Sequence, residues 1–178
     1  MERLIRKADV LIENFAPGTI DRLGFGWERA KDINPSLGYC SLKGFMPGPY
    51  EKRPALDEVC QMMGGLAYMT GPRGHPLRAG ASVIDILGGS YGVIGILAAL
   101  LDRKDTGRGQ FVKATLFEAV AMLVAQHMAI LPLTGEAAPP MPERGRSWSV
   151  YDLFETVDDA QVFVGVTSDR HWDRFCET

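Results

Sequence analysis

The chain has 178 residues, a formal net charge of −3, and 46% hydrophobic and 23% charged residues. This length allows one domain with a sizeable core or parts of two, and the slightly acidic balance argues against a nucleic-acid partner. Three scattered cysteines and three scattered histidines suggest neither a disulfide framework nor a metal site, so a reducing, cytoplasmic location is expected.

Short strands and helices alternate in the first third of the chain. Thr19 is the expected N-cap of the second helix. Residues 44–54 hold three prolines and two glycines, which predicts a loop of the kind that often carries binding residues. The predicted elements are a helix end over 2–8, a strand over 9–13, helices over 20–23 and 27–33, a strand over 37–42, and a helix over 55–63.

The longest apolar stretch runs over 83–101 and predicts a buried helix that breaks at 102–110. Its length and its small-xxx-small pattern also fit a membrane span. Asp85 within the run, its glycines and the absence of aromatic belts favour a protein that is not in a membrane. A strand over 110–116 and a helix over 117–131, stopped by Pro132, follow.

A Pro/Gly/Arg-rich linker is expected from Thr134 to Ser147. Beyond it, alternation over 149–155 and 161–166 predicts an antiparallel hairpin, and a helix starts near His171. We therefore predict part of a large domain over 1–133, then a linker and the start of a small α+β domain over 134–178. Neither end carries a clear start or stop signal, so we expect an excerpt of a longer chain.

Asp85 is a single carboxylate at the mouth of an apolar helix. It suits a helix cap or a first-turn acid as well as a catalytic group. Asp57 and Glu58 fit a solvated helix face, and the glycines of 104–110 fit a tight turn better than an anion cradle. From the residues alone, an enzyme is only weakly indicated.

Four blocks of the chain resemble the class III CoA-transferases, a family that includes formyl-CoA transferase, carnitine CoA-transferase and α-methylacyl-CoA racemase. The first block contains Ala8-Asp-Val-Leu-Ile-Glu-Asn-Phe-Ala-Pro-Gly. The order and spacing of all four agree with the family over nearly the whole chain. They occupy residues 8–24, 34–45, 61–71 and 95–110.

The resemblance implies an α/β fold with a Rossmann-like large domain and an interlocked homodimer. It places the catalytic carboxylate at Asp85, which would attack an acyl-CoA and pass CoA to a free carboxylic acid through an aspartyl anhydride. A helix N-terminus is expected to keep this carboxylate ionised, and N–H groups near Gly88 and Gly89 could stabilise an oxyanion. Coenzyme A is then a substrate, with neither a covalently bound cofactor nor a metal expected.

The resemblance maps CoA contacts onto Asn14, Phe15, Arg22 and Leu23, and substrate contacts onto Leu56 and Asp57. The racemase branch has a histidine where this chain has Leu56, and removing and returning a proton needs groups on both faces of the carbon. The resemblance therefore favours CoA transfer. A racemase and a non-catalytic remnant or oligomerisation module stay open, as do the acyl donor and acceptor.

Overall fold

The computed structural model describes residues 1–145 and 148–177. A sheet of three parallel strands lies within the unit Met1–Pro142, in the order β1-β2-β3. Helical segments connect these strands, as parallel pairing requires. The predicted α/β class is confirmed. The strands are β1 (Val10–Glu13), β2 (Gly38–Lys43) and β3 (Phe111–Thr115).

Helices cover both faces of this sheet. A cluster that includes Ile33, Leu37 and Tyr39 fills one face, below the first and third helices. The other face carries the longest helix. The helices are α1 (Glu2–Ile5), α2 (Thr19–Arg22), α3 (Trp27–Ile33), α4 (Asp57–Met63), α5 (Leu66–Thr70), α6 (Val83–Thr106), α7 (Leu116–Met128) and α8 (Ile130–Thr134).

The glycines of α6 bring this helix close to the sheet. A methyl group added at Gly95 would lie 2.6 Å from Val112 Cγ1, and one at Gly92 would lie 3.3 Å from Leu42 Cδ2. Larger side chains would push the helix away from β2 and β3. Gly92 and Gly95 are therefore explained by the packing of α6 against the sheet, and this packing fixes where its first turn lies.

Two helix termini differ from the predictions. Helix α6 continues five residues past Leu101 to Thr106, because Arg103 and Lys104 suit the negative end of a helix and Gly107 closes it at φ +68°. Thr19 is not the cap of α2. Gly18 occupies that position at φ +74°, and the Thr19 hydroxyl instead accepts a hydrogen bond from Arg22 at 2.8 Å.

Pro132 does not end the predicted helix over 117–131. Helix α7 ends at Met128, and α8 then includes Pro132 as its third residue. Proline is tolerated in a first turn, where its missing N–H has no helical partner. Helix α5 differs from the predictions, which place the end of a helix at Gly64 and Gly65 and no further element before residue 83.

Residues from Glu143 onward form a second unit, separate from Met1–Pro142. Its strands β4 (Tyr151–Glu155) and β5 (Gln161–Gly165) pair antiparallel, which confirms the predicted hairpin. Helix α9 (Asp169–Glu177) begins two residues before the predicted start. The linker predicted up to Ser147 includes residues 146 and 147, which lie outside the described residues. The division of the whole protein into large and small domains stays a prediction.

Two segments, Val83–Thr106 and Leu116–Thr134, are long and apolar enough to cross a membrane by length and composition alone. A helix packed at the core of an α/β layer has a similar composition. Helix α6 packs against the sheet on one face, where Gly92 faces Leu42 and Cys40 of β2. Its other face is exposed at Ile86, Val93, Ile94, Leu97 and Leu101, so the predicted buried helix is buried on one face only. The expectation that the protein is not in a membrane stays a prediction.

Gly109 offers a direct test of the packing between β2 and β3. A Cβ there would lie 2.0 Å from the Leu37 carbonyl oxygen and 2.6 Å from its nitrogen. We expect Gly109→Ala to destabilise the fold by about 3 kcal/mol, because backbone atoms cannot rotate out of the way. Denaturant unfolding would measure this loss. Gly80→Ala is the matched control, since a Cβ at Gly80 meets nothing within 4 Å in the described residues.

Candidate active site

A cavity of about 560 Å³ opens at the carboxyl ends of the three parallel strands. In open α/β sheets this edge is where ligands bind. Residues at or just after the end of each strand form its walls. Those of β1 are Asn14 and Phe15, those of β2 are Lys43 and Gly44, and those of β3 are Ala114 and Leu116.

Asp85 lies in the first turn of α6 and lines this cavity. The residue is exposed, so a ligand in the cavity can reach the carboxylate. Gly89, one turn further along α6, lines the same wall. Asp85 therefore presents a carboxylate to the cavity, and the absence of a side chain at Gly89 leaves room beside it.

Asp57, and not Asp85, caps helix α6. Its Oδ2 accepts hydrogen bonds from the backbone N–H of Ile84 at 2.8 Å and of Asp85 at 3.1 Å. N–H groups of a first helical turn have no partner within their own helix, so an external carboxylate satisfies them. Asp57 is 3% exposed and is absent from the cavity wall within the described residues. The predicted substrate contact of Asp57 stays a prediction.

Gln61 completes the surroundings of Asp57. It is fully buried one turn along α4, and its Nε2 donates to Asp57 Oδ1. Its Oε1 accepts the backbone N–H of Ala79 at 2.7 Å. The two side chains thus tie α4 both to the first turn of α6 and to the segment that precedes it.

The pKa of Asp85 is raised above its ordinary value. Partial burial is the largest cause, followed by the negative charges of Asp57 and Glu58, while the Arg78 guanidinium opposes them. The sequence predicts the opposite, namely a helix end that favours the charged form. Asp57 accounts for this difference, because it already occupies the N–H groups of the first turn and brings a negative charge with it. The expectation that Asp85 is ionised stays a prediction.

The helix geometry does not support the oxyanion role suggested for Gly88 and Gly89. Both lie in the second turn of α6, where backbone N–H groups bond to carbonyls four residues earlier. Gly88 is buried, and a Cβ there would lie 3.0 Å from Leu116 Cδ2. Close packing against a neighbouring element therefore accounts for Gly88.

A buried ion pair supports the turn that follows β1. Lys43 Nζ lies 2.6 Å from both carboxylate oxygens of Glu13 and donates to the Phe15 carbonyl at 2.8 Å. Glu13 also accepts the Phe15 N–H at 3.0 Å and the Ser41 hydroxyl. The side chains of Glu13 and Lys43 are 2% and 11% exposed. This network fixes Asn14 and Phe15 at the cavity.

The predicted CoA contacts divide into two groups. Asn14 and Phe15 line the cavity, as does Leu56, which is 67% exposed. Arg22 and Leu23 lie on and just after α2, outside the described lining of this cavity. Arg22 instead donates to Thr19. The structure therefore brings Asn14, Phe15, Leu56 and Asp85 together, but not Arg22 or Leu23.

Sequence reasoning missed Glu13, Lys43, Arg53 and Gln61. Glu13 pairs in register with Ser41 on β2, and Lys43 lies two residues further along the same strand. Charged residues at the ends of adjacent strands were thus the available signal for the ion pair. Arg53 also lines the cavity, with its guanidinium 4.6 Å from the Tyr50 ring centroid.

The cavity has features that suit a reaction of a carboxylate. Across residues 1–145 and 148–177, no group of three or more His, Cys, Asp or Glu side chains is placed to hold a metal ion. The cavity combines one reachable carboxylate, an apolar wall and the Arg53 cation. These features suit an acyl group with an anionic neighbour.

Residues 1–178 match the model of CoA-transferase family III, and the chain belongs to this family. It is 48% identical over 124 residues to the formyl-CoA:oxalate CoA-transferase of Streptomyces avermitilis. This match covers 69% of the chain and 30% of that relative. It is 43% identical over 180 residues to the succinyl-CoA–L-malate CoA-transferase beta subunit of Chloroflexus aurantiacus, covering 97% of the chain and 44% of the relative.

A crystal structure of a CaiB/BaiF family protein from Brucella suis shares the fold, with a TM-score of 0.87 and 34% identity. The match covers 99% of this chain and 47% of that one. The chain therefore spans less than half the length of these relatives, between 30% and 47%.

Proposed function

We propose that the whole protein transfers CoA from an acyl-CoA thioester to a free carboxylic acid, with Asp85 as the nucleophile. The carrying observation is the position of Asp85 in the same cavity as Asn14, Phe15 and Leu56. Membership of the family supports CoA transfer in general. The aspartyl intermediate is what the resemblance to the family implies, and the position of Asp85 in the cavity supports it.

In the proposed first half-reaction, an Asp85 oxygen attacks the thioester carbonyl of the donor, and the C–S bond breaks to release CoA thiolate. The thiolate then attacks the Asp85 carbonyl of the mixed anhydride. The donor acid leaves with one oxygen that came from Asp85, and an enzyme–CoA thioester remains.

The second half-reaction reverses these steps with another acid. The acceptor carboxylate attacks the Asp85 thioester and expels the thiolate, which forms a second anhydride. The thiolate then attacks the acceptor carbonyl and releases the new acyl-CoA. Asp85 is regenerated with one oxygen from the acceptor, so atoms and charge balance over the cycle.

The other cavity residues would hold and shield these groups. The Glu13–Lys43 pair keeps Asn14 and Phe15 in place for the CoA chain. Leu56 covers the acyl group and excludes water, which would otherwise hydrolyse the anhydride. Arg53 would face an anionic group of the substrate.

The relatives suggest which substrates to test first. Formyl-CoA with oxalate and succinyl-CoA with L-malate are the pairs in the relatives' names. We expect the whole protein to form a new CoA ester from at least one donor in a panel of acyl-CoAs and carboxylic acids. Liquid chromatography with mass detection would identify the product. Hydrolysis of every donor without transfer to any acid would contradict the proposal.

Racemisation at the carbon next to the thioester is the second candidate, and the family relationship is what motivates it. Leu56 lies in the wall where a second acid–base group would be needed, which disfavours this reaction. Deuterium exchange at that carbon without any acceptor acid would instead establish it.

A non-catalytic role would leave the whole protein without affinity for CoA. We also propose a cytoplasmic homodimer, to be tested by fractionation and light scattering.

The pKa of Asp85 leads to a prediction about pH. Only the ionised carboxylate attacks, so kcat/KM falls as pH decreases through the raised pKa, at a higher pH than for an ordinary aspartate. The Arg78 guanidinium, which pairs with Glu58, opposes the rise in the pKa of Asp85. We expect Arg78→Gln to move the acidic limb of the pH profile to still higher pH. An unchanged limb, or a shift to lower pH, would contradict this assignment.

A further inference from the structure

We propose that Asp57 is a positioning residue that anchors the first turn of α6 and so places the Asp85 carboxylate in the cavity. This inference rests on the proposed function of Asp85. Its observations are the hydrogen bonds from the N–H groups of Ile84 and Asp85 to one buried oxygen. One of these donors belongs to the nucleophile itself, so the anchor acts directly on residue 85.

The position of Gln61 explains why residue 57 must be an acceptor. The backbone N–H of Ala79 requires the Gln61 amide oxygen as its partner. The amide nitrogen of Gln61 is thereby turned toward Asp57. All three partners of the Asp57 carboxylate are N–H donors, so an amide at position 57 would place two N–H groups against each other. Gln61 thus holds the Asp57 side chain in place, and Asp57 in turn holds the first turn of α6.

The same contacts couple two parts of the cavity wall. Leu56, directly before Asp57, lines the wall at the start of α4, and Asp85 lines the wall at the start of α6. A shift of either helix start would move both groups. Asp57 therefore sets the distance between the acyl-covering side chain and the nucleophile, which matters because misplacement of reacting groups is costly to rate.

Charged groups from two directions face Asp85. Asp57 and Glu58 on α4 raise its pKa, and Arg78 from the segment before α6 lowers it. Cys60 on α4 is also close, but burial and then the charges of Asp57, Glu118 and Asp85 raise its thiol pKa to about 11. Asp57 thus acts on Asp85 in two ways. Its negative charge raises the pKa of Asp85, and its hydrogen bond fixes the backbone N–H of that residue.

The test uses the whole protein with three changes: Asp57→Asn, the double change Asp57→Asn with Gln61→Glu, and the control Asp105→Asn. Asp105 is an exposed carboxylate on the last turn of the same helix, about 30 Å from Asp85 at 1.5 Å per residue. Two quantities are measured: hydrogen exchange of the amides of Ile84 and Asp85, and kcat/KM as a function of pH.

We expect Asp57→Asn to lose amide protection at both residues and to reduce kcat/KM by about tenfold to a hundredfold, since hydrogen bonds to a charged group are broken. In the double variant, the carboxylate introduced at position 61 can accept both from the new amide at position 57 and from the Ala79 N–H. We expect amide protection to return and activity to recover. We also expect the acidic limb of the pH profile to lie at lower pH than in the wild type, because the negative charge at position 61 is further from Asp85. A purely structural role would not move this limb.

Unchanged protection and activity in Asp57→Asn would overturn the anchoring, as would a double variant that does not regain protection. Exchange is measured without turnover, so it tests the anchor independently of catalysis. Full activity of an Asp85 variant would instead overturn the proposed function.

Discussion

Asp85→Asn is expected to reduce CoA transfer by the whole protein by roughly 10⁴-fold or more, the scale seen when a catalytic nucleophile is removed. Asparagine keeps the size and shape of the side chain but cannot form the anhydride. Asp85 lines the cavity at an exposed position, so the change leaves the fold within about 1 kcal/mol of the wild type. Initial rates and a denaturant titration would check both statements.

The matched control for this prediction is Asp105→Asn, which removes a carboxylate from the far end of the same helix. We expect it to keep wild-type activity. Asp85→Glu is a second comparison, since it retains the carboxylate but moves it by one methylene group. It should be slower than the wild type and faster than Asp85→Asn. Equal rates for the wild type and Asp85→Asn would remove Asp85 from the mechanism.

Lys43→Met is expected to be the most destabilising change to the cavity, at about 3–5 kcal/mol. It leaves the buried Glu13 carboxylate without its cation, and such uncompensated charges carry costs of this size. The Phe15 carbonyl also loses its donor. We therefore expect a raised KM for acyl-CoA in addition to the lower free energy of unfolding, because the turn that holds Asn14 and Phe15 is released.

The double change Glu13→Gln with Lys43→Met separates the charge from the packing. It removes the unpaired charge, so we expect it to be less destabilised than the sum of the single changes. Lys7→Met, at an exposed position, is the surface control and should stay within about 0.5 kcal/mol of the wild type. Additive single changes would show that Glu13 and Lys43 do not act as a pair.

Local patterns predicted the strands of the first unit and most helices within a few residues. Alternation over 37–42 located β2, although both faces of this central strand are buried, and the long apolar run located α6. Helix ends were less predictable. The end of α6 at Thr106 depends on Gly107 in a left-handed conformation, and the charged residues of its last turn look like a break in the sequence.

The candidate site was predictable where it depends on residue type and not where it depends on pairing across the fold. Asp85 stands out in the sequence as a carboxylate in an apolar run. Its relation to Asp57 is invisible there, because 28 residues separate them and only the packing of α4 beside α6 brings them together. The ion pair between Lys43 and Glu13 is equally invisible in the sequence, because 30 residues separate them and only the pairing of β1 with β2 brings them together.

Transfer of oxygen from the acceptor acid into Asp85 tests the central claim most directly. The whole protein would turn over once with an acyl-CoA and an ¹⁸O-labelled carboxylic acid in ordinary water, and the peptide that contains Asp85 would then be analysed by mass spectrometry. The proposed mechanism predicts one heavy oxygen in the Asp85 carboxylate, and labelled donor acid after further turnovers. Turnover that leaves both the Asp85 peptide and the released acid without label would contradict it.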